Sequence, residues 1–248
     1  MLNNLPRATR YLLLINLAMW LLDESLQRYG IQLTSVLGLH YWSSIGPRIW
    51  QPFTYMFMHG GFRHLFFNMF ALLMFGPVLE REWGERKYLL YYFVCGLGAA
   101  LVQEVVWSIQ LHALLSQYSE LQVALYSTQL VTIGASGAVF GILFAFGWLF
   151  PDVPMFLFFI PIPIRARTMV IIYALIELAE GFSSIPGDNV AHFAHLGGML
   201  FGWLLLLGWR KDVFSRLSSL FRRNRLLHTD KEKKSRFSEY HYQRNIDE

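Results

Sequence analysis

At 248 residues, with 54% hydrophobic, 17% aromatic and 15% charged residues and a mean hydropathy of +0.36, the chain is too apolar for an ordinary soluble domain and reads as an integral membrane protein. The net charge of +4 does not point to nucleic acid, because Lys and Arg gather at the ends of apolar segments and in the C-terminal tail, the pattern of membrane orientation. One cysteine, Cys95, inside an apolar run excludes an internal disulfide framework and an all-cysteine metal site.

In chain order, apolar runs at about Tyr11 to Leu22, Leu65 to Leu79, Tyr88 to Trp107, Gly134 to Phe150, Thr168 to Phe182 and Val190 to Trp209 predict six helices. The first follows a short N-terminus, Met1 to Arg10, without a small-residue cleavage site, so it reads as a retained span and not a signal peptide. The runs shorter than the roughly 20 residues that cross a bilayer squarely rely on snorkelling flanks such as Arg10 and on local thinning. The runs are continuous and not alternating, which argues against sheet. The expected class is an all-α membrane protein with a six-helix core over residues 11–209. The connection from Pro151 to Pro163 is too interrupted for a continuous helix. The tail, 210–248, alternates basic and apolar residues up to Leu227 and then turns polar. It reads as an interfacial amphipathic helix followed by disorder.

Basic residues set the orientation. Arg7, Arg10, Arg81, Arg86, Lys87, Arg165, Arg167 and the tail lie on one side; only Arg28, Arg48 and Arg63 lie on the other. The positive-inside rule puts both termini in the cytoplasm. The second, fourth and sixth helices then run inward, and each begins near the outer face. His64, Asn68, Ser136 and His195 all fall within roughly 10 Å of that face, at 1.5 Å of rise per residue.

Ser136 lies in Gly134-Ala135-Ser136-Gly137, and His195 in Ala194-His195-Leu196-Gly197-Gly198. Serine needs a neighbouring base to become a nucleophile, and reactive side chains at membrane depth mark functional sites. At a helix N-terminus, Ser136 can offer unpaired amides to an oxyanion. His64 and Asn68, at i and i+4, share a helix face and can add donors. Gly137 with Gly141, and Gly198 with Gly202, form small-xxx-small pairs that let helices approach closely. Phe140, one turn after Ser136, can stack on an imidazole. No Asp or Glu neighbours Ser136 or His195 in sequence, which favours a dyad over a triad. Each element alone also has a structural reading: a packing patch, a satisfied core histidine, interhelical glue from Asn68. Their joint occurrence at one depth is what favours a serine protease.

These residues resemble the rhomboid family of intramembrane serine proteases over about Trp50 to Trp209. Gly134 to Gly137 is similar to the family's GxSG motif, and Ala194 through His195, Gly198 and Gly202 to its AHxxGxxxG motif. His59, His64 and Asn68 match HxxxxHxxxN, and Glu80, Arg81 and Gly84 resemble the family's exit from the second span. The resemblance implies a six-transmembrane-helix rhomboid-like bundle, with Ser136 as nucleophile, His195 as general base, and His64 and Asn68 as oxyanion-hole donors. It also implies an embedded first loop (23–63), a mobile fifth helix and cap loop (168–189), and single-span membrane proteins as substrates, with no metal or organic cofactor. The chain has Trp50-Gln51 where the family commonly has Trp-Arg, and Phe140 where many members have tyrosine. The compact core favours a bacterial plasma membrane.

Two other classes compete. A metalloprotease or metal transporter would use His59, His64, His192 and His195; no HExxH motif and no adjacent carboxylate accompany them. A proton-coupled transporter would use Glu104, Glu177 and Glu180, but no internal repeat accompanies these. Glu177 and Glu180 lie near the outer end of the fifth helix, where a solvated or gate-side role, or a helix-capping or packing one, accounts for them more simply. His59, beside Gly60 and Gly61, reads as a structural hydrogen-bonding residue.

Overall fold

The computed structural model describes residues 4–44, 48–156, 163–182 and 191–209. The expected cap loop from Ser183 to Asn189 and the amphipathic tail beyond Trp209 lie outside the described residues. Met1–Leu204 forms one compact unit, which contains all the site residues, and Leu205–Glu248 forms another.

All six apolar runs fold as helices. Helix α1 spans Arg7–Gln27. It begins earlier than its apolar run because its cap comes from elsewhere in the chain: Glu80 accepts from the amides of Ala8 and Thr9 (2.8 and 2.7 Å) and from Thr9 Oγ1 (2.8 Å). A helix leaves its first amides without internal partners, and a carboxylate there also meets the positive end of the dipole. Glu80 belongs to α4 (Phe62–Trp83). Gly84, with φ +77, separates α4 from α5 (Glu85–Leu114).

Between α1 and α4 the chain forms two one-turn helices, α2 (Thr34–Leu37) and α3 (Gln51–Thr54), a 3-10 turn at Tyr55–Phe57, and strand β1 (Leu39–His40). Gln51 ties this loop by two bonds, accepting from His40 N–H (3.2 Å) and donating to the Val36 carbonyl (3.2 Å). Arg48 donates to the Ser35 carbonyl (2.9 Å). Glu104 accepts from the Trp42 amide at 3.2 Å, which makes it a tie between α5 and this loop.

After α5, α6 (Glu120–Ser127) starts with a capping box between Ser119 and Gln122. Among the described residues, two short antiparallel pairs accompany the helices. Strand β2 (Val131–Thr132) pairs with β1, Leu39 opposite Thr132, and so joins the first loop to the segment just before α7 (Ser136–Leu149). The proline-interrupted connection forms β3 (Pro154–Phe156) and β4 (Pro163–Arg165), with Met155 opposite Ile164. Helices α8 (Ala166–Phe182) and α9 (His192–Trp209) follow.

Helices α4, α5 and α9 are each long and apolar enough to cross a membrane; α7 is a shorter apolar helix. The core lies between them, filled by Tyr55, Leu72, Leu79, Tyr88, Tyr91, Tyr92 and Ile142, all fully buried. Leu14, Leu21, Phe67, Leu101, Leu175 and Leu204 are exposed on outward faces. Apolar residues on both the inner and the outer faces of a helix are the pattern of a lipid-facing bundle.

Candidate active site

The chain enters α7 through Gly134, whose φ of +124 is open to glycine and strained for other residues. Its amide donates to the Tyr55 carbonyl at 2.9 Å, anchoring the turn on the first loop. Ala135 caps the helix with no side-chain hydrogen bond. Among the described residues, the first amide with a helical acceptor is that of Val139, bonded to the Ala135 carbonyl at 3.0 Å. The amides of the first turn, including that of Ser136, therefore carry the positive end of the dipole without a capping side chain.

Glycines bring α9 against α7. A Cβ on Gly198 would overlap the Gly137 carbonyl, and one on Gly141 would overlap Cys95 Sγ and stand 3.1 Å from the Gly198 carbonyl. A Cβ on Gly202 would overlap the Tyr91 hydroxyl, which itself donates to the Gly141 carbonyl at 2.9 Å. Because the two backbones touch there, Phe140 and His195 face each other: their rings lie 4.2 Å apart, 8° from parallel. Ser136 precedes Phe140 by one turn on the same face. Ser136 Oγ forms no hydrogen bond among the described residues.

His64 lies against the other side of the turn. Its Nε2 is 2.6 Å from where a Cβ on Gly134 would stand, and Ser136 Oγ is 3.6 Å from the same point. The Gly60 amide approaches His64 Nδ1 at 3.4 Å. A nitrogen that accepts is unprotonated, so in the neutral ring the proton sits on Nε2, the atom nearest the serine turn. Asn68, 6% exposed, donates to the His64 carbonyl on its own helix at 3.0 Å, which leaves its second N–H to serve elsewhere. His59 is 2% exposed and packs edge-on against His64, ring centres 5.0 Å apart. A backbone hydrogen bond to Phe57 partly offsets the cost of burying its ring, in keeping with a structural role. Burial, and then the neighbouring His64, push its pKa down to about 3.

Sequence proximity missed one partner. Glu177, from α8, is buried at 7% exposure, which leaves a buried role and removes the solvated one. Its Oε2 lies 2.8 Å from His195 Nδ1 and 2.7 Å from His192 Nδ1. A carboxylate thus does sit beside these histidines, across 18 residues and a helix boundary. A charged residue in an apolar helix was the signal available; the choice of partner was not. Glu180, one turn on, is half-exposed and lies 3.5 Å from His192 Nδ1.

The three ligand-type atoms of Glu177, His192 and His195 lie within 4.8 Å of one another, close enough to raise a metal site. Spacing argues against it. Two ligands sharing a tetrahedral zinc at about 2.05 Å stand roughly 3.3 Å apart, whereas 2.7 and 2.8 Å are hydrogen-bond lengths for N–H donors to an ionised oxygen.

Over residues 46–211 the chain matches the Rhomboid domain. It belongs to the rhomboid family. Its relatives include RHOMBOID-like protein 4 of Arabidopsis thaliana, 29% identical over 64% of this chain and 34% of that protein. Rhomboid-like protein 11, chloroplastic, of the same plant is 30% identical over 79% of this chain and 64% of that one. Rhomboid protease GluP of Bacillus subtilis is 28% identical over 73% of this chain and 28% of that protein. This rhomboid therefore spans between about a quarter and two thirds of the length of these relatives. Within the rhomboid domain lie the serine turn, the stacked histidine and the glycine contact between α7 and α9.

Proposed function

We propose that this rhomboid is an intramembrane serine protease that hydrolyses peptide bonds in or near the transmembrane segments of single-span membrane proteins. The observation that supports this most is the parallel stack of Phe140 on His195, one helical turn from Ser136. In this reading Ser136 Oγ attacks the scissile carbonyl while His195 Nε2 takes its proton. The oxyanion receives the Ser136 amide and the Nε2–H of His64, with Asn68 supplying its remaining N–H. His195 then gives the proton to the leaving amine, and a water hydrolyses the acyl-enzyme by the same route in reverse. Substrate helices that unwind readily are favoured, since the scissile bond must leave its helix to reach the serine. Six helices cross the bilayer, both termini lie in the cytoplasm, and the site opens outward in a bacterial plasma membrane.

The test is a reporter with a helix-destabilised transmembrane segment, offered to the purified protein in liposomes. Wild type cleaves it; Ser136→Ala and His195→Ala do not, and a fluorophosphonate labels wild type but not Ser136→Ala. Cleavage that survives in Ser136→Ala would end the serine-protease reading.

A further inference from the structure

Asp23, Glu80 and Glu177 are the buried carboxylates among the described residues. Asp23 accepts from the Gln27 side chain and the Leu33 amide, and Glu80 caps α1. Glu177 alone receives imidazoles, and one of them is the base proposed above. We propose that Glu177 is the positioning residue of His195, so that the site works as Ser136, His195 and Glu177 and not as a pair. This inference rests on the serine-protease reading.

An ionised carboxylate only accepts. With Oε2 at 2.8 Å from His195 Nδ1, the proton of the neutral ring is held on Nδ1 and the lone pair is left on Nε2. That is the nitrogen through which a histidine removes a serine proton. Without the carboxylate, the opposite tautomer and the flipped ring compete, and neither has a free lone pair in the right place.

Two constraints on the ring are complementary. The Phe140 stack, at 4.2 Å and 8°, fixes the plane of the imidazole but lets it turn within that plane. The hydrogen bond to Glu177 removes this turning. Helix α8 supplies both supports, because Tyr173, one turn before Glu177, meets the Phe140 ring edge-on with centres 6.4 Å apart. The buried carboxylate also stabilises the imidazolium that forms when the proton leaves Ser136 Oγ for Nε2, and the water-poor surroundings strengthen this. Glu177 keeps its charge throughout, and the proton moves on from Nε2 to the leaving amine. His192 shares the same oxygen, which has lone pairs for both donors, so the carboxylate is held from two sides.

The test measures kcat and KM on the reporter, with thermal unfolding in detergent, for wild type, Glu177→Ala, Glu177→Gln, Glu177→Asp, Glu180→Gln and Ser136→Ala. Loss of a carboxylate that orients a catalytic histidine costs up to roughly 10,000-fold in kcat. Glu177→Ala and Glu177→Gln are expected to lose on the order of 100-fold or more in kcat, with KM little changed and unfolding temperature close to wild type. Glu177→Asp regains part of the rate, and Glu180→Gln keeps all of it. Glu177→Gln matches glutamate in shape, so it reports even where Glu177→Ala fails to fold. A folded Glu177→Gln with wild-type kcat, beside an inert Ser136→Ala, overturns the role of Glu177 and leaves the protease reading intact. An active Ser136→Ala removes the protease reading itself.

Discussion

At position 134 a side chain would meet two obstacles at once. The backbone has φ +124, where a Cβ is strained by about 1–3 kcal/mol, and that Cβ would stand 2.6 Å from His64 Nε2. Gly134→Ala must therefore push His64 away from the serine turn or reshape the turn. The expected outcome is a fall of at least about tenfold in kcat, the scale of one displaced oxyanion donor, with slower fluorophosphonate labelling; unchanged labelling would show that His64 is not held by this contact. Residues of this kind were legible because their motif is local: Gly134, Ser136 and Gly137 lie within one turn, as do His195 and Gly198. Phe140 was legible from its one-turn spacing, and the missing tyrosine hydroxyl leaves the stack intact. Glu177 was not legible as a partner, since its contact to His195 crosses from one helix to the next.

Among the elements, α1 shows how far a helix end can depend on a remote residue. Its start at Arg7 is set by Glu80 of α4, which holds two amides and the Thr9 hydroxyl. Glu80→Gln keeps the size of the side chain and removes the charge, so the helix end loses charge-assisted bonds. A loss of about 1–3 kcal/mol is expected in detergent unfolding, with kcat of the folded fraction near wild type. An unchanged midpoint would mean that water caps α1 equally well. The motif at Glu80, Arg81 and Gly84 marked the end of α4 in the sequence, yet nothing there named α1 as its partner. The two-residue strands β1 and β2 were hidden for a different reason: they are too short to show alternation, and only folding sets them side by side.

For the whole molecule, buried His59 makes stability depend on pH. Folding lowers its pKa from 6.5 to about 3. Above about 6.5 both folded and unfolded forms are neutral, and the group adds no pH dependence. Between about 6.5 and 3 the unfolded chain binds a proton that the folded one refuses, so stability falls as pH falls, by up to about 1.4 kcal/mol per unit. Unfolding midpoints from pH 7 down to pH 5 are expected to drop faster in wild type than in His59→Gln; parallel slopes would exclude His59 as the source.

Composition and short-range spacing sufficed for the membrane class, the six helical segments, and the nucleophile, base and glycine contacts as candidates. Each of these is written in composition or in a spacing shorter than two turns, where chain geometry alone dictates which residues share a face. Which helices touch emerged from the folded chain. It put Phe140 on His195, His64 behind Gly134, Glu80 on α1 and, above all, the Glu177 carboxylate on the Nδ1 of His195. Contacts between helices depend on how buried faces pack and on which polar groups must find partners away from water, and no local pattern encodes that pairing.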